Sequence, residues 1–185
     1  MEMTDRGRKT PATSEPTPSE PAPVPVRPAP PAPAAPAPAA PVIDTHVFLR
    51  DGDKLLLSQR GGPYGYGRWH MPSGKLDHGE TLRGGAAREL YEETGVRVDP
   101  ARLRLVHTVH HQQSPDVTRI GFFFEATEWE GEPENREPEK CLGLRWFSVH
   151  ALPEDIIEYP AAGLYGYLDG RIPLTEHGGS FTGIT

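Results

Sequence analysis

Glu89, Glu92 and Glu93 are the residues of this chain best placed to do chemistry together. At about 100° per residue a helix brings the three carboxylates within roughly 100° of arc. Carboxylates this close repel one another, so the face calls for a cation. Ligands that are all oxygen favour a hard divalent ion, Mg²⁺ or Mn²⁺, over zinc. Arg88 adjoins Glu89 and precedes Glu92 by four residues, so it can orient or partly neutralise both. An ordinary solvated acidic helix face is the competing reading, and for an isolated E-x-x-E-E it is the commoner one.

The element that must carry these residues is a helix over Thr81–Thr94, closed by Gly95 at the position of a C-terminal cap. Ala87, Leu90, Tyr91 and Thr94 fall on its other side, so the helix is predicted to turn an apolar face to the core and its carboxylates outward. Strands are expected over Val42–Arg50 and Lys54–Arg60, joined at the turn Asp51-Gly52-Asp53. A Gly-rich loop spans Gly61–Gly67, and a short strand is expected over Trp69–Pro72, ending at the proline. Val96–Val98, Leu103–Val109, Gly121–Ala126 and Leu144–Phe147 read as strands, with a polar loop over Glu128–Lys140. Ala151–Ile157 and Ala161–Leu168 read as helices separated by Pro160. The mixed order predicts an α+β or three-layer α/β/α arrangement.

Gly74, Glu80, Arg88, Glu89, Leu90, Glu92, Glu93, Gly95 and Val96 match G-x5-E-x7-R-E-U-x-E-E-x-G-U, where U is aliphatic, without a gap or a substitution. This resembles the signature box of the Nudix hydrolases, and the strand–turn–helix context agrees with it. The likeness extends over approximately 42–168, through the first hairpin, Trp69–Gly74 at the entry to the box, and Leu144–Phe147 followed by Ala151-Leu152-Pro153. The resemblance implies an α/β/α sandwich with a mixed β-sheet between helices. It implies that Glu89, Glu92 and Glu93 ligate the metal ions with the backbone carbonyl of Gly74, while Glu80 and Arg88 brace the loop–helix–loop. Gly95 is a structural position of the box. The implied activity is metal-dependent cleavage of the diphosphate linkage in a nucleoside diphosphate derivative.

Two departures stand out. Gly84-Gly85 weakens the start of the helix by about 1 kcal/mol per glycine; Gly85 either leaves room for substrate or is simply tolerated. Gly143 occupies a position where such proteins often carry a glutamate before the late Arg-Trp pair. An assisting carboxylate must then come from the acidic loop. Glu137 and Glu139 are nearest, with Glu128, Glu130, Glu132 and Glu134 further back, and Glu137 is taken as the catalytic candidate. Arg60 and Arg68 are candidate phosphate contacts. Tyr66, with Tyr64 and Trp69, is a candidate to stack on a base. His107, His110 and His111 fit no zinc site; a surface or substrate-edge role is expected for them.

Composition bounds the rest. Residues 1–41 hold 13 of the 22 prolines and only two Val among large aliphatic residues. They cannot bury enough apolar surface to offset ordering entropy, so a disordered Pro/Ala-rich tail is expected there. The domain is expected over 42–170, with 171–185 loosely ordered. The formal charge of −7 lies entirely on 42–185, because the tail carries four residues of each sign. A negative domain argues against a nucleic-acid polymer as partner. No apolar run suits a membrane span or a secretory signal, and the single cysteine, Cys141, fits a reducing compartment. A cytoplasmic location is the resulting expectation, and nothing in the sequence excludes a homodimer. The subgroup signatures for dinucleoside polyphosphates, ADP-ribose and NADH are absent downstream of the box. A small nucleotide such as a (d)NTP, cleaved to a nucleoside monophosphate and pyrophosphate, is the remaining expectation. A catalytically silent nucleotide-binding sensor is the alternative, which an intact carboxylate set disfavours.

Overall fold

The computed structural model describes residues 40–114, 117–170 and 173–179. The tail reading for 1–41 therefore lies, apart from Ala40 and Pro41, outside the described residues. Among the described residues eight strands form a mixed sheet: β1 (Val42–Asp51), β2 (Lys54–Arg60), β3 (Trp69–His70), β4 (Ser73–Lys75), β5 (Arg104–Ser114), β6 (Val117–Ala126), β7 (Cys141–Ser148) and β8 (Leu174–His177). The order is β3-β2-β1-β6-β5-β8, with β4 paired to β1 and β7 to β2. The strands β1 and β6 run parallel, whereas β1 and β4 run antiparallel. The hairpin of β1 and β2 pairs only near its turn, at Arg50↔Leu55 and Asp51↔Lys54. Beyond that point the two strands splay, and β4 takes the vacated edge of β1.

Period-two alternation along β1 builds two cores. Val47 and Leu49 face one side, with Leu56, Leu90 and Phe124. Phe48 faces the other, with Leu57, Phe123, Tyr159 and Leu164. The first core lies under α1 (Leu82–Thr94) and the second under α2 (Glu158–Asp169). The arrangement is the expected α/β/α sandwich.

Helix α1 starts where Thr81 accepts a hydrogen bond from the Gly84 N–H, and it ends at Gly95, whose φ of 73° suits glycine. Ala86 and Leu90 are its deepest apolar contacts. Two expectations for this helix change. Tyr91 is not core: its ring lies between the guanidinium groups of Arg97 and Arg136, at 4.4 and 5.0 Å. Gly85 leaves room for protein and not for substrate, since a Cβ there would meet the Leu76 side chain at 2.8 Å and the Glu80 carboxylate at 3.1 Å.

The late helices also differ. Ala151–Ile157 is not helical, and Pro160 lies inside α2. It occupies the first turn, where its missing N–H would have had no intrahelical partner. The segment after Gly170 contributes β8, which pairs in parallel with β5 from Thr108↔Leu174 to His111↔His177. Its polar residues give no strand signal in the sequence. Among the described residues no helix is long and apolar enough to cross a membrane.

Candidate active site

The carboxylate end of α1 opens into a cavity of about 320 Å³. Glu89, Glu92, Glu93 and Glu137 line it with Arg60 and Lys140. Glu89 and Glu93 thus turn into a cleft, while Glu92 at its edge stays half exposed to solvent.

Arg88 organises the rim. It grips Glu80 with two hydrogen bonds, Nε to Oε1 at 2.8 Å and Nη2 to Oε2 at 2.9 Å. It also donates to Glu89 at 2.8 Å, to Glu92 at 3.1 Å and to the Lys75 carbonyl at 3.1 Å. These bonds hold the Glu80 carboxyl down to about 2. Through Glu80 and the Lys75 carbonyl, Arg88 ties the loop after β4 to the helix.

Glu93 has the opposite environment. Burial at the cavity floor raises its carboxyl to about 8, and Glu89 and Glu137 add like-charge repulsion. The Ser73 N–H donates to it at 3.2 Å. Burial also raises Glu89, against the opposing pull of Arg88. Backbone at Gly74 closes against the same group, because a Cβ there would fall inside the Glu89 carboxyl.

The loop carrying Glu137 is fastened to α1. The N–H groups of Glu134 and Arg136 donate to the carbonyls of Thr94 and Glu93, at 3.0 and 3.1 Å, and the Arg136 side chain covers Tyr91. Asn135 then caps the turn, accepting from the Glu137 N–H at 3.2 Å and donating to the Cys141 carbonyl at 2.7 Å. Glu137 enters the cavity paired to Lys140 at 2.6 Å.

A second cavity of about 260 Å³ adjoins the first and shares Arg60, His70 and Ser73 with it. Asp44 and His46 of β1, Arg119 of β6, and Tyr159 of α2 form its polar wall, and Tyr64 and His111 also line it. Asp44 is 3% exposed. It accepts two bonds from Arg119 Nη1, at 2.8 and 2.7 Å, and one from the Tyr159 hydroxyl at 3.2 Å. Glycine at 121 makes this possible, since a side chain there would strike the Tyr159 hydroxyl. Burial holds His46 down to about 3 and His70 to about 4, so both imidazoles are neutral.

Of the residues expected to contact substrate, Arg60 reaches both cavities. Arg68 and Tyr66 line neither. Arg68 donates to the Ile156 carbonyl at 2.7 Å and pairs with Glu158. Tyr66 stands 67% exposed at the tip of the glycine loop, and Tyr64 is the tyrosine of that loop beside the cavity. His107 is buried and bonds Thr175, whereas His111 reaches the second cavity. Sequence reasoning passed over Asp44, His46 and Arg119. The first two are polar residues inside a strand otherwise read as apolar, which was the available signal.

The NUDIX domain model matches residues 41–165, and the chain belongs to that family. It is a hydrolase of the Nudix type, a family whose members generally use divalent metal ions. The chain is 32% identical over 114 residues to the oxidized purine nucleoside triphosphate hydrolase of Mus musculus, an overlap of 59% of this chain and 67% of that protein. It is 27% identical over 134 residues to an 8-oxo-dGDP phosphatase of Danio rerio, covering 70% of this chain and 40% of the fish protein. A MutT NUDIX hydrolase from Burkholderia pseudomallei aligns with a TM-score of 0.64 at 25% identity, over 69% of this chain and 98% of that one.

The residues present fit a divalent ion. Glu93 is an enclosed carboxyl in need of positive charge, and the donors around it are oxygens. The side chains are not gathered into a finished cage: among the described residues no three His, Cys, Asp or Glu groups converge in ligating geometry. Arg88 accounts for part of this by drawing Glu89 and Glu92 toward itself.

Proposed function

We propose that this chain is a Mg²⁺- or Mn²⁺-dependent pyrophosphohydrolase of small nucleotides, which converts a nucleoside triphosphate to a nucleoside monophosphate and pyrophosphate. The observation that carries the reading is the pairing of two cavities. One is lined by four carboxylates with Arg60 and Lys140, and the other is a polar pocket with aromatic walls. The first suits a diphosphate with its cations and the second suits one base. The names of the mouse and fish relatives, each a hydrolase of a single-base nucleotide, support the same substrate class.

Glu89, Glu92 and Glu93, with the Gly74 carbonyl, would hold the ions. When bound, such ions share the charge of the diphosphate and lower the pKa of the attacking water. Arg60, which lines both cavities, would bind the phosphate chain and direct the base into the second pocket. Glu137 accepts the proton of the attacking water. The water oxygen bonds to the α-phosphorus, the bond from that phosphorus to the α,β-bridging oxygen breaks, and pyrophosphate leaves with the electron pair. Lys140 then keeps the Glu137 carboxylate oriented toward the water.

A panel of nucleoside triphosphates, ADP-ribose and NADH, assayed with Mg²⁺ or Mn²⁺ and with chelator, tests this reading. Metal-dependent pyrophosphate release from triphosphates is the expected result. Binding of triphosphates without turnover would favour a silent sensor.

A further inference from the structure

Two side chains in the wall of the second cavity, His46 and Arg119, have hydrogen-bonding capacity that the protein leaves unused. Both ring nitrogens of His46 are buried without a hydrogen-bond partner, although the residue is only 4% exposed. Buried polar atoms are nearly always paired, so an orphaned imidazole in a cavity wall points to a missing partner. The ring cannot swing away to find one. It stacks on Phe123 with centroids 4.3 Å apart and meets the edge of Tyr159 at 5.4 Å. The other feature is Arg119. Its Nη1 is committed to Asp44, while Nε and Nη2 make no hydrogen bond among the described residues. The Asp44 carboxylate cancels its charge, so Arg119 faces the cavity as a fixed fork of donors more than as a free cation. That suits a neutral acceptor better than another phosphate.

Resting on the nucleotide reading above, we infer that Arg119, fixed by Asp44, and His46 read the substrate base, and that they select bases carrying a carbonyl oxygen over those carrying an exocyclic amine at the same position. A carbonyl accepts from the guanidinium. An amine brings two N–H donors against donors that have no acceptor to offer, and both sides lose their water without gaining a bond. The adjoining ring nitrogen finds a partner in either case, because neutral His46 can accept from an N–H or donate to a bare nitrogen through its tautomers, so the discrimination rests on Arg119.

Two substrate pairs isolate this choice, because each differs only in the carbonyl-for-amine exchange and the ring proton that goes with it. Inosine and adenosine triphosphates form one pair; uridine and cytidine triphosphates form the other. Steady-state kinetics with the full chain should give kcat/KM about tenfold or more higher for the carbonyl member of each pair, the range of a lost hydrogen bond to a charged donor. Arg119→Gln should bring both ratios close to one, mainly through KM for the carbonyl substrates. Equal kcat/KM within the wild-type pairs, or preference for the amine member, would overturn the inference even if the variant failed to fold. Turnover of none of the four would instead overturn the nucleotide reading beneath it.

Discussion

Replacing Asp44 by asparagine measures what the buried pair beside the cavity contributes. The amide keeps the shape of the side chain and can keep the Tyr159 hydrogen bond, but it removes the charge that compensates Arg119. Breaking one side of a buried pair costs about 3–5 kcal/mol. Asp44 is 3% exposed, but the Arg119 side chain retains 26% of its exposure, so water recovers part of the loss. The expected destabilisation is about 2–3 kcal/mol. For a domain of this size that lowers Tm by roughly 10 °C. Urea unfolding of wild type, Asp44→Asn, Arg119→Leu and the double variant would supply the cycle. Once Arg119 is leucine, Asp44→Asn should cost about 1–2 kcal/mol less than in wild type. Additive losses, or a single-variant loss below about 0.5 kcal/mol, would refute the claim that the pair holds this wall together.

Other consequences follow from the same geometry. Glu92→Gln or Glu93→Gln should abolish most turnover while the chain stays folded; a near-wild-type kcat at saturating metal would remove these residues from the site. Stability should fall on acidification through His46. This ring is held near 3 in the folded chain but protonates near 6.5 when unfolded, so the unfolded state binds the extra proton below neutrality. Its stabilising neutrality is present above pH 6.5 and is lost as pH falls. The stability gap between wild type and His46→Phe should therefore shift against wild type by about 2 kcal/mol from pH 7 to pH 5, and a constant gap in urea melts would contradict it. Removing residues 1–39 should leave Tm and turnover unchanged, because the described core residues run from Val47 to Leu164; a drop in either would show that this segment takes part.

Helix α1 was legible because its signals are local. Thr81 and Gly95 mark its ends, and the spacing of Glu89, Glu92 and Glu93 fixes their common face. The second cavity was not legible, because it depends on register. Parallel pairing of β1 with β6 sets Val42 against Arg119 and Asp44 against Gly121, which brings Arg119 to Asp44 and clears space for Tyr159. No spacing along the chain encodes that meeting. Strand β4 escaped notice because Ser73-Gly74-Lys75 has no apolar alternation, and β8 because its pairing is with a distant strand. Pro160 misled for a different reason: it marks the beginning of a helix as readily as a break between two. Tyr91 looked apolar by its position on the helical wheel, yet two arginines from outside the helix claim its ring.

The most direct test of the pyrophosphohydrolase reading is hydrolysis of a nucleoside triphosphate in ¹⁸O-labelled water with Mg²⁺, the products being read by mass spectrometry. The account predicts nucleoside monophosphate carrying one ¹⁸O and unlabelled pyrophosphate as the initial products. Orthophosphate with nucleoside diphosphate would contradict it.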